Sequence, residues 1–118
     1  APQNARHVAV FNINAAIIDP MKLRDYCLSP AHPRGKHKAR VFQSVFGLEQ
    51  KDWRLLSDAI RKNLVVEKWV ADNADEFGHR YHVDMLIKIS ERSAMVRTLW
   101  IVRSGEEFPR LTSCFVLY

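Results

Sequence analysis

Five basic side chains fall within seven positions at His32, Arg34, Lys36, His37 and Lys38, inside "SPAHPRGKHKARVF" at residues 29–42. An imidazole can take and give protons near neutral pH, and ammonium and guanidinium groups can hold a phosphate and stabilise added charge on it. The stretch runs into an apolar helical pattern at Val41 and Phe42, so part of it stands at a helix start, where free N–H groups and the dipole favour an anion. It has one glycine, Gly35, and lacks the spaced glycines of a phosphate-binding P-loop. Lys38 stands one turn before Phe42, on the flank of the apolar face, which turns it towards the rest of the fold instead of into water. A solvated basic loop is the plain alternative.

A second basic and hydroxyl set lies near the C-terminus. In "MVRTLWIV", Arg97 shares strand parity with Met95, Leu99 and Ile101, and Thr98 with Val96, Trp100 and Val102, so either of the two lies among core-like neighbours. In "RLTSCFVLY", Arg110, Thr112 and Cys114 share one face, with Leu111, Ser113 and Phe115 on the other. An arginine on a half-buried strand needs an anionic partner. That partner is either a carboxylate (Asp84, Glu106 or Glu107) in a structural ion pair or a bound phosphate. A shared ligand would give a reason to gather like charges. The expectation is therefore one cleft lined by Lys38 and at least one of Arg97 and Arg110, with His32 at its edge.

Metal chemistry is not expected. His79 and His82 differ by an odd number on a strand, His32 and His37 have no acidic or cysteine partner nearby, and no pair of ligands has metal spacing. Cys27 and Cys114 lie far apart in sequence among apolar neighbours and read as reduced core thiols. No apolar run approaches the roughly 18 residues of a membrane span, and Ala1 to Asn14 lacks the pattern of a signal peptide, so a cytoplasmic location is expected. The chain opens at Ala1 without an initiator methionine, as a domain cut from a longer chain would. With 118 residues, 47% hydrophobic and 26% charged, it suits one domain that can build a core without staples. Its 18 Lys+Arg against 13 Asp+Glu leave a net charge of +5, which favours encounter with polyanions.

The elements that must position these groups change period midway. Residues 1–15 read as a leader, with "HVAVF" as a short strand or docking segment, and 16–118 as one domain. "IIDPMKLRDYCL" predicts a short helix capped by Asp19 with Pro20 first in the helix. "SPAHPRG" breaks it. A second helix is predicted over 36–46, with Ala39, Phe42, Val45 and Phe46 on one face and Gly47 past its end. A third covers "QKDWRLLSDAIRKN", where Trp53, Leu56, Ile60 and Leu64 keep the helical period. "VVEKWV" then reads as β-rich and "ADNADEFG" as a polar turn. In "HRYHVDMLIKI" the residues Tyr81, Val83, Met85, Ile87 and Ile89 alternate with Arg80, His82, Asp84, Leu86 and Lys88. Turns at "SERSA" and "RSGEEFP" separate two further strands. The fold class is α+β: N-terminal helices packed on one face of a roughly four-stranded antiparallel sheet.

"KLRDYCLSPAHPRGKHKARVFQSVFG" and "VRTLWIVRSGEEFPRLTSCFV", in that order, resemble a bacterial domain of unknown function found alone or at the C-terminal ends of toxin-like chains. The first motif matches at His32, Pro33, Gly35, Lys36, Lys38, Ala39 and Phe42. The second matches at Val96, Arg97, Thr98, Trp100, Gly105, Glu106, Pro109, Arg110 and Leu111, with Thr112 and Ser113 where the family often has Val then Thr. The layout of such domains is similar to the barnase, EndoU, colicin and RelE ribonuclease toxins. The resemblance implies a metal-independent ribonuclease-type toxin domain with no cofactor, whose RNA cleavage passes through a 2′,3′-cyclic phosphate. His32 would then serve as acid–base, Lys38, Arg97 and Arg110 would hold the phosphate, and Thr98 or Thr112 would orient an oxygen. Arg34, Lys36 and His37 would contact the backbone, and Tyr81 or Trp100 would stack a base. A non-catalytic nucleic-acid-binding module, or one member of a toxin–antitoxin pair meeting an acidic antitoxin or immunity protein, would use the same basic set.

Overall fold

Asp19 opens the helical half as the sequence predicts: its side chain accepts the Met21 N–H at 2.9 Å, and Pro20 is the first helical residue. The computed structural model describes residues 12–117, so "HVAVF" and most of the expected leader lie outside the described residues. Helix α1 (Pro20–Lys22) runs directly into a π-helical turn, Leu23–Cys27, which buries Leu23 and Cys27. Helix α2 spans Lys36–Phe46, buries Ala39, Phe42 and Phe46, and ends at Gly47 in the left-handed region (φ 73°). A short 3-10 turn, Gln50–Asp52, leads into α3 (Trp53–Lys62), which buries Leu56, Ser57 and Ile60.

Four strands follow as an antiparallel meander in the order β1-β2-β3-β4: β1 Val70–Asp75, β2 Gly78–Ile89, β3 Arg92–Arg103 and β4 Arg110–Val116. The first strand corrects the sequence reading. "VVEKWV" contributes a 3-10 turn at Val66–Lys68, and the strand occupies the segment read as a polar turn. All six residues of β1 are exposed on the sheet edge, so no alternation betrays it.

Tyr81, Val83, Met85 and Ile87 of β2 lie opposite Trp100, Thr98, Val96 and Ala94 of β3, and this face carries the core. Trp69 closes one end of it, with ring centroids 5.4 Å from Trp100 and 5.8 Å from Tyr81. The helices cover this face only, as expected for a two-layer α+β fold.

The β3–β4 register slips at one place. Leu99 pairs with Ser113 and Trp100 with Leu111, which leaves Thr112 without a partner and marks a β-bulge. The outer edge of β4 is partly covered by the chain before α1. Ile17 bridges to Arg110, donating to the Pro109 carbonyl at 2.9 Å and accepting from Leu111 N–H at 2.9 Å.

Candidate phosphate-binding site

Lys38 reaches from α2 across to β4. Its Nζ donates to the Tyr26 hydroxyl at 2.6 Å and to Ser113 Oγ at 2.9 Å, and lies 4.5 Å from the centre of the Tyr26 ring. Three elements meet here: the π turn brings Tyr26, the first turn of α2 brings Lys38, and β4, just past its bulge, brings Ser113. Lys38 is half-buried and, among the described residues, forms no ion pair. Two neutral hydroxyls hold the ammonium, and no carboxylate pairs with it among the described residues. Its third N–H can serve an incoming anion.

Gly35 makes this meeting feasible. A Cβ there would overlap the backbone carbonyl oxygen of Tyr26, so only glycine lets the loop lie against the π turn. His32 braces the same loop. Its Nδ1 accepts the N–H groups of Arg34 and Gly35, each at 3.0 Å, while its carbonyl accepts from Lys36 N–H at 3.0 Å. With Nδ1 an acceptor, the proton of the neutral ring sits on Nε2. The ring meets Tyr26 edge-on, centroids 4.8 Å apart.

A cavity of about 530 Å³ opens beside this cluster, lined by Tyr26, His32, Arg34 and Thr112. Asp19 and Asp25 also line it, and both are engaged elsewhere: Asp19 caps α1, and Asp25 takes a two-point ion pair from Arg24 at 3.0 Å for each bond. Hydrogen bonding to Arg24 holds the Asp25 carboxyl below its ordinary range.

Beneath Lys38 lies a thiol pair. Cys27 and Cys114 are both free and buried, as the sequence reading expects. Cys27 Sγ accepts the Cys114 backbone N–H at 3.3 Å and lies 3.9 Å from Ser113 Oγ. The hydrogen bond from the Cys114 thiol, with lesser help from backbone, Ser113 and the Lys38 charge, pulls Cys27 down against the opposing effect of burial. Cys114, the donor, is pushed up by that same bond and by burial.

Of the residues singled out in the sequence, His32, Arg34, Lys38 and Thr112 therefore come together. Others do not, and the single cleft uniting Lys38 with Arg97 is corrected. Arg97 stands opposite Asp84 on the sheet face away from the helices, bound to it at 2.7 and 2.9 Å. Asp84 is lowered and Arg97 raised chiefly by that hydrogen-bonded pairing. Arg110 gives the same kind of two-point contact to Glu106, at 3.0 and 2.9 Å. Thr98 is fully buried, donates to the Val83 carbonyl at 2.9 Å and accepts from Trp100 Nε1 at 2.7 Å. Trp100 and Tyr81 are core residues at 1% and 3% exposure, which removes them as stacking platforms. Lys36 and His37 are exposed on the first turn of α2. Tyr26 is the site residue that sequence reasoning missed, and Ser113, whose hydroxyl the sequence left open beside Thr112, holds Lys38. No group of three or more His, Cys, Asp or Glu among the described residues could hold a metal ion.

Residues 9–118 match a family described as Domain of unknown function (DUF6883), and the chain belongs to that family. No curated protein and no solved structure matches it.

Proposed function

We propose that this DUF6883 domain binds RNA at Lys38 and in the cavity beside Tyr26 and His32, and cleaves it without a metal ion, as a ribonuclease-type toxin domain. The observation that carries the proposal is the Lys38 ammonium: half-buried, held by two neutral hydroxyls and offered no carboxylate among the described residues. An ammonium with no carboxylate partner in that setting is a receptor for an anion. The net charge of +5 favours a polyanion, and the helices-before-sheet order is compatible with the ribonuclease-toxin analogy that the sequence motifs suggest.

RNA supplies its own nucleophile. The 2′-oxygen forms a bond to the adjacent phosphorus as its proton passes to solvent water. The P–O5′ bond then breaks and the 5′-oxygen takes a proton from water, which leaves a 2′,3′-cyclic phosphate and a 5′-OH. Lys38 stabilises the extra negative charge of the phosphorane, and Arg34 and the Nε2–H of His32 donate to its non-bridging oxygens. Thr112 spends its hydroxyl proton on the Leu99 carbonyl at 3.2 Å, which leaves an acceptor for a sugar hydroxyl. Arg97, Thr98 and Arg110 take no part. Because His32 Nδ1 is engaged by two backbone N–H groups, charge stabilisation supplies the rate and His32 acts as a donor, not as the base.

That same engagement of His32 favours a second reading, a module that holds RNA phosphates without cutting. An acidic antitoxin or immunity protein would meet the basic surface in either reading, in the cytoplasm where RNA is found. No helix among the described residues is long and apolar enough to cross a membrane. The test is end-group analysis of RNA incubated with the purified domain in EDTA. New 2′,3′-cyclic phosphate ends support cleavage; intact RNA that nevertheless binds with Lys38 dependence selects the binding module.

A further inference from the structure

A second groove lies along α2. It has a volume of about 650 Å³ and is bordered by Lys36 and Arg40 of α2 and by Lys51 of the following 3-10 turn. None of these three cations forms an ion pair among the described residues. The single carboxylate at the groove, Glu49, takes part in a reciprocal capping box with Asp52. The floor is apolar, from Leu28, Pro30 and Leu48, and the amides of Gln43 and Gln50 stand at its walls.

We infer that this groove is a second RNA subsite, which seats a nucleotide flanking the one bound at Lys38. The chemistry matches a nucleotide part by part. Unpaired cations suit a phosphodiester, an apolar floor suits a base face, and amides that both donate and accept suit base edges. Continuity argues for the same ligand in both places. Pro30 and Lys36 line this groove while His32 and Arg34 line the cavity beside Tyr26, so the segment 30–36 runs between the two. A single strand crossing that segment places successive nucleotides on both sides. This inference rests on the RNA reading of the Lys38 site and adds a length preference to it: short substrates fill one subsite and longer ones fill two.

The test uses 2′-O-methyl RNA oligomers, which lack the attacking hydroxyl, in two lengths, two and eight nucleotides, with binding read by fluorescence anisotropy over a salt series. An Arg40→Gln/Lys51→Gln variant should keep the wild-type affinity for the dinucleotide and lose about tenfold for the octanucleotide. Its log–log salt slope for the octamer should fall by roughly 0.7 for each removed charge. Both side chains are solvent-facing, so circular dichroism should be unchanged. If the double variant binds the octamer as wild type does while Lys38→Met weakens both lengths, the groove is not an RNA subsite and the Lys38 reading survives. Should Lys38→Met weaken neither length, the RNA reading falls and takes the subsite with it. Arg40- and Lys51-dependent binding of poly-glutamate that RNA cannot displace would assign the groove to an acidic protein and overturn the inference.

Discussion

Lys38 Nζ and Ser113 Oγ meet at 2.9 Å although 75 positions separate them, and their bond ties the central helix to the edge strand of the sheet. With the 2.6 Å bond to Tyr26 it fixes where the ammonium points. Tyr26→Phe and Ser113→Ala each remove one acceptor and keep the lysine. Each should lower cleavage by about tenfold, through loss of positioning, and cost about 1 kcal/mol of stability. Denaturant unfolding and single-turnover cleavage check the two effects separately; unchanged cleavage in both variants would detach the hydroxyls from the site.

Arg97 provides a contrast. Its two-point bond to Asp84 lies on the face away from the helices, so Arg97→Ala should leave RNA cleavage unchanged. Asp84 is lowered mainly by that hydrogen bonding, so the pair's stabilisation is present above the ordinary carboxylate range and is lost as pH falls through the lowered Asp84 value. Wild type and Arg97→Ala should differ in stability at neutral pH and converge in strong acid. A constant gap across that range would mean the carboxylate is not the partner that matters.

The Arg97 result shows what could be read in the sequence and what could not. The turn at "SERSA" was legible, and once it is centred on Ser90–Glu91 the hairpin register puts Asp84 directly opposite Arg97. Without that centre both faces of "MVRTLWIV" are apolar enough that parity alone cannot choose. The helices were legible because Phe42, Phe46, Leu56 and Ile60 keep a 3.6-residue period and Asp19, Pro20 and Gly47 mark ends. Strand β1 was not, because an exposed edge strand has no buried face to alternate with. Lys38's direction followed from its place beside Phe42, but Ser113 depends on a bulge, and a bulge breaks the very parity that a strand reading uses. Tyr26 shares helical spacing with Leu23 and Cys27, so nothing in the sequence sets it apart from a core position.

The thiol pair predicts a pH dependence of its own. Cys27 is lowered from 9.0 to about 7, first by the Cys114 hydrogen bond, so its contribution is fully present above the ordinary thiol value and is lost as pH falls through about 7. Cys114 is raised and opposes this at alkaline pH. Stability should therefore rise between about pH 7 and 9 and turn over above that. Cys114→Ala, which removes the donor, should flatten the rise. Denaturant midpoints across that range decide; a flat wild-type profile would show that the two thiols do not share a proton.

Cleavage should also be indifferent to chelation. The described residues contain no group of three or more ligating side chains, and the proposed chemistry needs only protein charge. Equal rates with and without EDTA are expected. Activity that vanishes on chelation and returns with zinc or magnesium would require a different mechanism.

The most direct measurement of the central claim is the single-turnover rate of RNA cleavage in EDTA for wild type, Lys38→Met and Arg97→Ala. Methionine keeps the apolar stem of the lysine and removes its charge, so the fold should persist by circular dichroism. If Lys38 is the phosphate receptor, Lys38→Met should be slower by on the order of a hundredfold or more, as for loss of a charge-stabilising group, with Arg97→Ala at the wild-type rate. Equal rates for wild type and Lys38→Met, or a loss confined to Arg97→Ala, would contradict the account.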